Sequence, residues 1–139
     1  MSDFSNVPST FPTALSDGQA LADDGTLYNS VQTAENNATD YIFIAPGTFN
    51  ESVKVTTNGL KIMGSGEGTL IDSSTASAVG ITVEASNVTV SNLSVTAGDD
   101  GINYVLGSDN ARVENVTIVD TANTGSGIVL NDDNNIVYN

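Results

Sequence analysis

Nearly every side chain in this protein that can do chemistry is a carboxylate: twelve aspartates and five glutamates stand against Lys54, Lys61 and Arg112, with no cysteine and no histidine. The absent cysteines exclude a disulfide scaffold, a thiolate metal site, a cysteine nucleophile and a thioredoxin-type redox motif. The absent histidines remove the commonest general base and metal ligand. What is left is the chemistry of oxygen donors. Asp109 and Asp133 each precede an asparagine, and Asp100 and Asp132 lie in similar turn-rich segments. If the fold brings these four together, their repulsion calls for a bridging Ca2+ or monovalent cation; otherwise they are solvated turn residues screened by salt. No other cofactor is expected.

Whether those aspartates meet depends on the elements that carry them. Residues 1–25 hold Pro8, Pro12 and many Ser, Asp and Gly without periodicity, and predict an extended arm. Residues 26–40 place Leu27, Tyr28, Val31, Ala34 and Ala38 at helical spacing, with Asp24 and Thr26 as available N-caps, and predict a short amphipathic capping helix. From Tyr41 onward the helical period vanishes. Short apolar or alternating runs such as YIFIA, SVKV, LKIM, GITVE and VTIV follow, separated by Gly, Asn, Asp and Ser, and read as strands.

These runs repeat. Asn87–Asn92, Asn110–Asn115 and Asn134–Asn139 align in steps of 23 and 24 residues, and Gly-Ile pairs open each unit at positions 80, 101 and 127. A degenerate copy ending at Gly64 puts glycine where the others have Asn92, Asn115 and Asn139. A period of this length holding three short strands describes one turn of a parallel β-helix over residues 41–139, with strands stacked about 4.8 Å apart. Val88, Val90, Leu93, Val95, Val113, Val116 and Ile118 then point inward, while Thr89, Ser91, Ser94, Arg112 and Thr117 face solvent. Asn92, Asn115 and Asn139 fall at a tight bend that suits the left-handed conformation, and predict a buried, structural amide ladder along the axis. The same alignment sets Ser86, Asp109 and Asp133 in one register.

The segments YIFIAPGTFNESVKV, NGLKIMGSGEGTLID and GITVEASNVTVSNLSVTAGDDGI resemble the opening turns of right-handed β-helix proteins of the pectin-lyase-like superfamily, nearest to its pectinesterase-like and periplasmic-copper-binding-like repeats. The likeness runs over residues 26–139. It implies an all-β, right-handed parallel β-helix with an N-terminal arm and a capping helix, a fold shared by many activities and by scaffolds. Catalysis in this superfamily needs motifs that the chain lacks. Asp99-Asp100-Gly101 is similar to the paired aspartates of polygalacturonases, but the companion His and Arg-Lys motifs are absent; Arg112 has no matched acidic cluster for a lyase. No catalytic residue is expected.

The net charge of −14 would repel nucleic acid and anionic membranes, and matches the acidic usage of haloarchaea and their viruses. No apolar run approaches the roughly 20 residues of a membrane span, and no export signal is recognisable. Five Asn-x-Ser/Thr sequons, at Asn37, Asn50, Asn87, Asn92 and Asn115, follow from composition alone. The chain stops within a repeat, which suggests continuation beyond Asn139. Taken together, these features lead to the expectation of a virion structural protein, the particle-proximal part of a tail fibre or tailspike of a halophilic virus. It would be a homo-oligomer, a trimer by preference, with residues 1–25 contacting tail or baseplate proteins and regions past residue 139 meeting a host surface glycan or glycoprotein. The alternatives are an extracellular polysaccharide lyase or hydrolase, and a cell-surface adhesin or scaffold.

Overall fold

The structure is a computed structural model and describes residues 15–121 and 124–139. Strand β1 (Ala20–Ala22) opens it, followed by β2 (Leu27–Tyr28) and one short helix, α1 (Val31–Asn37). The chain then winds into a parallel β-solenoid of about 4 turns. The first turn is β3 (Tyr41–Ile44), β4 (Gly47–Phe49) and β5 (Val53–Val55); the second is β6 (Lys61–Met63), β7 (Thr69–Asp72) and β8 (Ile81–Val83). In the third and fourth, single bent strands serve two faces: β9 (Thr89–Thr96) with β10 (Ile102–Tyr104), then β11 (Arg112–Asp120) with β12 (Ile128–Leu130). Strand β13 (Ile136–Tyr138) pairs on β11.

Turn-on-turn pairing stacks like side chains. Ile42, Ile62, Val90 and Val113 form one interior column, and Val53, Ile81, Ile102 and Ile128 another. All but Ile128 are buried, and each buried Val or Ile contributes about 1.5–3 kcal/mol relative to exposure. Val88, Val90, Leu93, Val95 and Val113 lie in the core as their alternation predicts; Val116 and Ile118 pack partly buried against it. Tyr104 sits wholly inside, its hydroxyl donating to the Val88 carbonyl at 3.1 Å. Burial pushes its pKa above the usual phenol value.

Three expectations need correction. Thr89, Ser91 and Ser94 point away from the core yet are buried; Ser91 Oγ and Ser94 Oγ donate to the carbonyls of Ile62 and Glu67. Residues 20–22 do not belong to a free arm, because β1 pairs antiparallel with β3, Ala20 opposite Ile44 and Ala22 opposite Ile42. Residues 1–14 of that arm lie outside the described residues. Leu27 and Tyr28 are strand rather than helix, since Asp24-Gly25 makes a turn, with Gly25 at φ +83° and Asp24 Oδ1 accepting the Thr26 N–H, that folds β2 back on β1.

The helix therefore begins later, capped by Ser30, whose Oγ accepts the Thr33 N–H at 3.2 Å. Glu51, from the loop before β5, accepts the Val31 and Gln32 N–H groups at 2.7 and 3.1 Å and so neutralises the helix N-terminus. Gln32 in turn treats β5 as a neighbouring strand would: its Oε1 accepts the Lys54 N–H at 2.6 Å and its Nε2 donates to the Lys54 carbonyl at 3.0 Å. Glu35, buried, accepts the Thr56 N–H at 2.8 Å. Together β1 and α1 close the first turn's edges, which would otherwise offer unpaired backbone to another chain.

Candidate functional site

The corners of the solenoid gather the polar side chains. Between the two halves of β9 and of β11 the backbone bends at Asn92 (φ 55°) and Asn115 (φ 49°), and Asn115 Nδ2 donates to Asn92 Oδ1 at 3.3 Å. Asparagine tolerates this left-handed geometry better than other side chains with a Cβ. The pair is exposed rather than buried, because the bend turns its side chains out toward water. Asn139 follows β13 in the same register and is exposed. Gly64 opens no such column: a Cβ there would lie 2.2 Å from the Asn92 carbonyl oxygen, so close backbone approach requires glycine.

A second asparagine column occupies another corner and was not anticipated as such. Asn87, Asn110 and Asn134 have φ of 60°, 58° and 61°, and Asn110 Nδ2 donates to Asn87 Oδ1 at 3.2 Å. The signal was present in the repeat itself, which begins as well as ends on asparagine. A third axial bond joins Asn131 Nδ2 to Asn103 Oδ1 at 3.1 Å. The glycines at 80 and 101 mark a further corner where turns meet backbone to backbone. A Cβ on Gly80 would lie 2.5 Å from the Gly101 carbonyl oxygen, and one on Gly101 2.4 Å from that of Gly127.

The aspartates occupy these corners too. Asp109 and Asp133 stand on successive turns as aligned: the Asn87 N–H donates to the Asp109 carbonyl at 2.9 Å, and the Asn110 N–H to the Asp133 carbonyl at 3.3 Å. Both side chains are exposed. Asp100 serves a different corner, accepting the Ser126 N–H at 2.7 Å and Asn103 Nδ2 at 3.2 Å, while Asp132 accepts the Gly107 N–H. Among the described residues no group of three or more acidic side chains is placed to hold a metal ion.

Three carboxylates among the described residues, Asp23, Asp24 and Asp72, are tuned by local bonds. Ser74 donates from its hydroxyl and its N–H to Asp72 Oδ1, at 2.6 and 3.0 Å, and holds that carboxyl below its ordinary value. At Asp23 burial raises the pKa, but the Thr39 hydroxyl and N–H, at 2.7 and 2.8 Å, outweigh it and leave it lowered. Arg112 is engaged as well. Its guanidinium bonds Glu114 and the Tyr138 hydroxyl and lies 5.1 Å from that ring's centre, and the same hydroxyl donates to Glu114 Oε1 at 2.5 Å. The arginine is thus tied down by charge and by its aromatic neighbour.

These bonds have one direction in common. Asn115 to Asn92, Asn110 to Asn87, Asn131 to Asn103, Asp100 to Ser126 and Asp132 to Gly107 all run from one turn to the next along the solenoid axis. No family model, no curated protein and no solved structure matches this chain.

Proposed function

We propose that the protein is a structural rod, a solenoid that carries and spaces binding surfaces rather than performing a reaction. The observation supporting this is the axial direction of the corner hydrogen bonds, which commits asparagine and aspartate side chains to joining neighbouring turns instead of converging on a substrate. A rod of this kind suits the particle-proximal part of a tail fibre or tailspike of a halophilic virus, with the β1–α1 end toward the particle. The net charge of −14 suits a high-salt medium, where a Debye length near 3 Å at 1 M suppresses self-repulsion.

The test is electron cryo-microscopy together with size exclusion and light scattering on the native full-length protein in high salt. A symmetric oligomer, a trimer by preference, attached to a particle through its β1–α1 end is the expected result. A free monomer that cleaves acidic polysaccharide would overturn the reading in favour of a glycan enzyme.

A further inference from the structure

The sequence holds one asparagine followed by glycine, Asn58-Gly59, at the corner between β5 and β6. Pairing of Lys61 with Thr89, and of Arg112 with Thr89 and Ile136, puts Gly59 in register with Asn87, Asn110 and Asn134. Gly59 shares their left-handed backbone, at φ +76°, but a Cβ there would meet no described residue within 4 Å. Among the described residues no close contact selects glycine here, as one does at Gly64 and Gly101. What glycine leaves is an unhindered, conformationally free backbone nitrogen beside an asparagine side chain, the pairing in which that nitrogen most readily reaches the side-chain carbonyl carbon. Asn58 is exposed, so water has access to it.

We propose that Asn58 is a site of spontaneous modification by water, gated by the turn stacked on it, an inference independent of the rod reading. In the folded chain Ser86 holds both reacting groups: its N–H donates to Asn58 Oδ1 at 2.9 Å, and its carbonyl accepts the Gly59 N–H at 2.9 Å. When that corner opens, the Gly59 nitrogen gives its proton to solvent and attacks Asn58 Cγ. The N–Cγ bond forms, the Cγ–Nδ2 bond breaks, and Nδ2 takes up a proton and leaves as ammonia. Water then opens the cyclic imide at Cγ, giving aspartate, or at the Asn58 backbone carbonyl, giving isoaspartate. The net change is one water taken up and one ammonia released, with no oxidation. The aspartate product suits its column, which carries Asp109 and Asp133 two and three turns on, and it keeps an acceptor for the Ser86 N–H. Isoaspartate routes the backbone through Cβ and Cγ and so draws Gly59 away from the Ser86 carbonyl.

The test incubates the full chain in mildly alkaline buffer, folded and urea-unfolded, and follows every asparagine by peptide mass spectrometry with aspartate and isoaspartate resolved by chromatography. Two neutral hydrogen bonds at an exposed corner should slow conversion of Asn58 about ten- to a hundredfold in the folded chain relative to the unfolded one. In the unfolded chain Asn58 should convert before every other asparagine. Gly59→Asn, which places there the residue found in the next three turns, should leave the folded circular dichroism spectrum unchanged and slow conversion of Asn58 at least about tenfold in urea. Equal rates in the folded and unfolded chain overturn the gate at Ser86. Faster conversion of another asparagine in urea, or no conversion of the folded chain after about ten half-lives of the unfolded one, overturns the assignment of Asn58.

Discussion

Replacing Asn115 separates the two jobs that the asparagine column could do. The residue sits at φ 49° and donates an exposed amide bond of 3.3 Å to Asn92. Alanine at that φ costs about 1–2 kcal/mol in backbone strain, and the lost bond, long and open to water, adds about 0.5 kcal/mol. Asn115→Ala should therefore destabilise by about 1.5–2.5 kcal/mol. Glycine is free of the strain but loses the same bond and gains unfolded-state freedom, so Asn115→Gly should lose only about 1–1.5 kcal/mol. Urea unfolding followed by far-UV circular dichroism resolves that gap, and thermal melts should separate the variants by roughly 3 °C per kcal/mol. An Asn92→Ala/Asn115→Ala cycle should show coupling below about 0.5 kcal/mol. If glycine proves as damaging as alanine and the cycle couples strongly, the amide ladder rather than the backbone bend selects asparagine, and the reasoning fails.

Gly101→Ala should destabilise by about 1–3 kcal/mol, since its Cβ meets the Gly127 carbonyl oxygen, while Gly68→Ala, with only a 3.6 Å contact to Pro46, should be neutral or slightly stabilising; chemical denaturation compares the two. Gln32→Ala should cost about 1 kcal/mol and raise hydrogen exchange at the Lys54 amide, because the side chain stands in for a strand on β5. The depressed pKa of Asp72 contributes stability that is present above its ordinary value of 3.8 and is lost as pH falls through the lower folded value; Asp72→Asn should flatten stability against pH in that acid window, and an unchanged acid limb would refute the contribution. Raising sodium chloride from 0.1 to 1 M shortens the Debye length from about 10 to 3 Å and should raise Tm in scanning calorimetry; a Tm that does not move would show that the charge of −14 carries no strain.

The repeat was legible because stacking in a solenoid imposes the same condition on every turn. Ile42, Ile62, Val90 and Val113 share one interior column, so their alternation survives in sequence even though each strand is short. The N-terminal cap was harder to read. Ala20–Ala22 carries no strand signature, yet pairing with β3 recruits it because that edge needs a partner. The helix boundary moved for a similar reason: its N-terminal N–H groups find Glu51, twenty residues away, whereas Asp24 is spent on the preceding turn. Local pattern cannot show a cap supplied from so far along the chain. Likewise Gly64 aligns with the asparagine column but serves a close backbone approach, which only the three-dimensional neighbour Asn92 reveals.

The placement of β1 changes what removal of the N-terminal region can mean. Deleting residues 1–25 would take away the strand that covers the β3 edge and shorten the sheet at its first turn. Such a deletion should destabilise the solenoid and expose a parallel-sheet edge to association. Deleting residues 1–14 alone leaves β1, β2 and α1 in place. The two truncations should thus differ: the longer should aggregate or melt at lower temperature, and the shorter should retain the solenoid's circular dichroism and melting temperature. Equal stability of the two in calorimetry would mean that β1 adds nothing to the first turn, and would remove the argument that this end of the solenoid is closed by design of the chain itself.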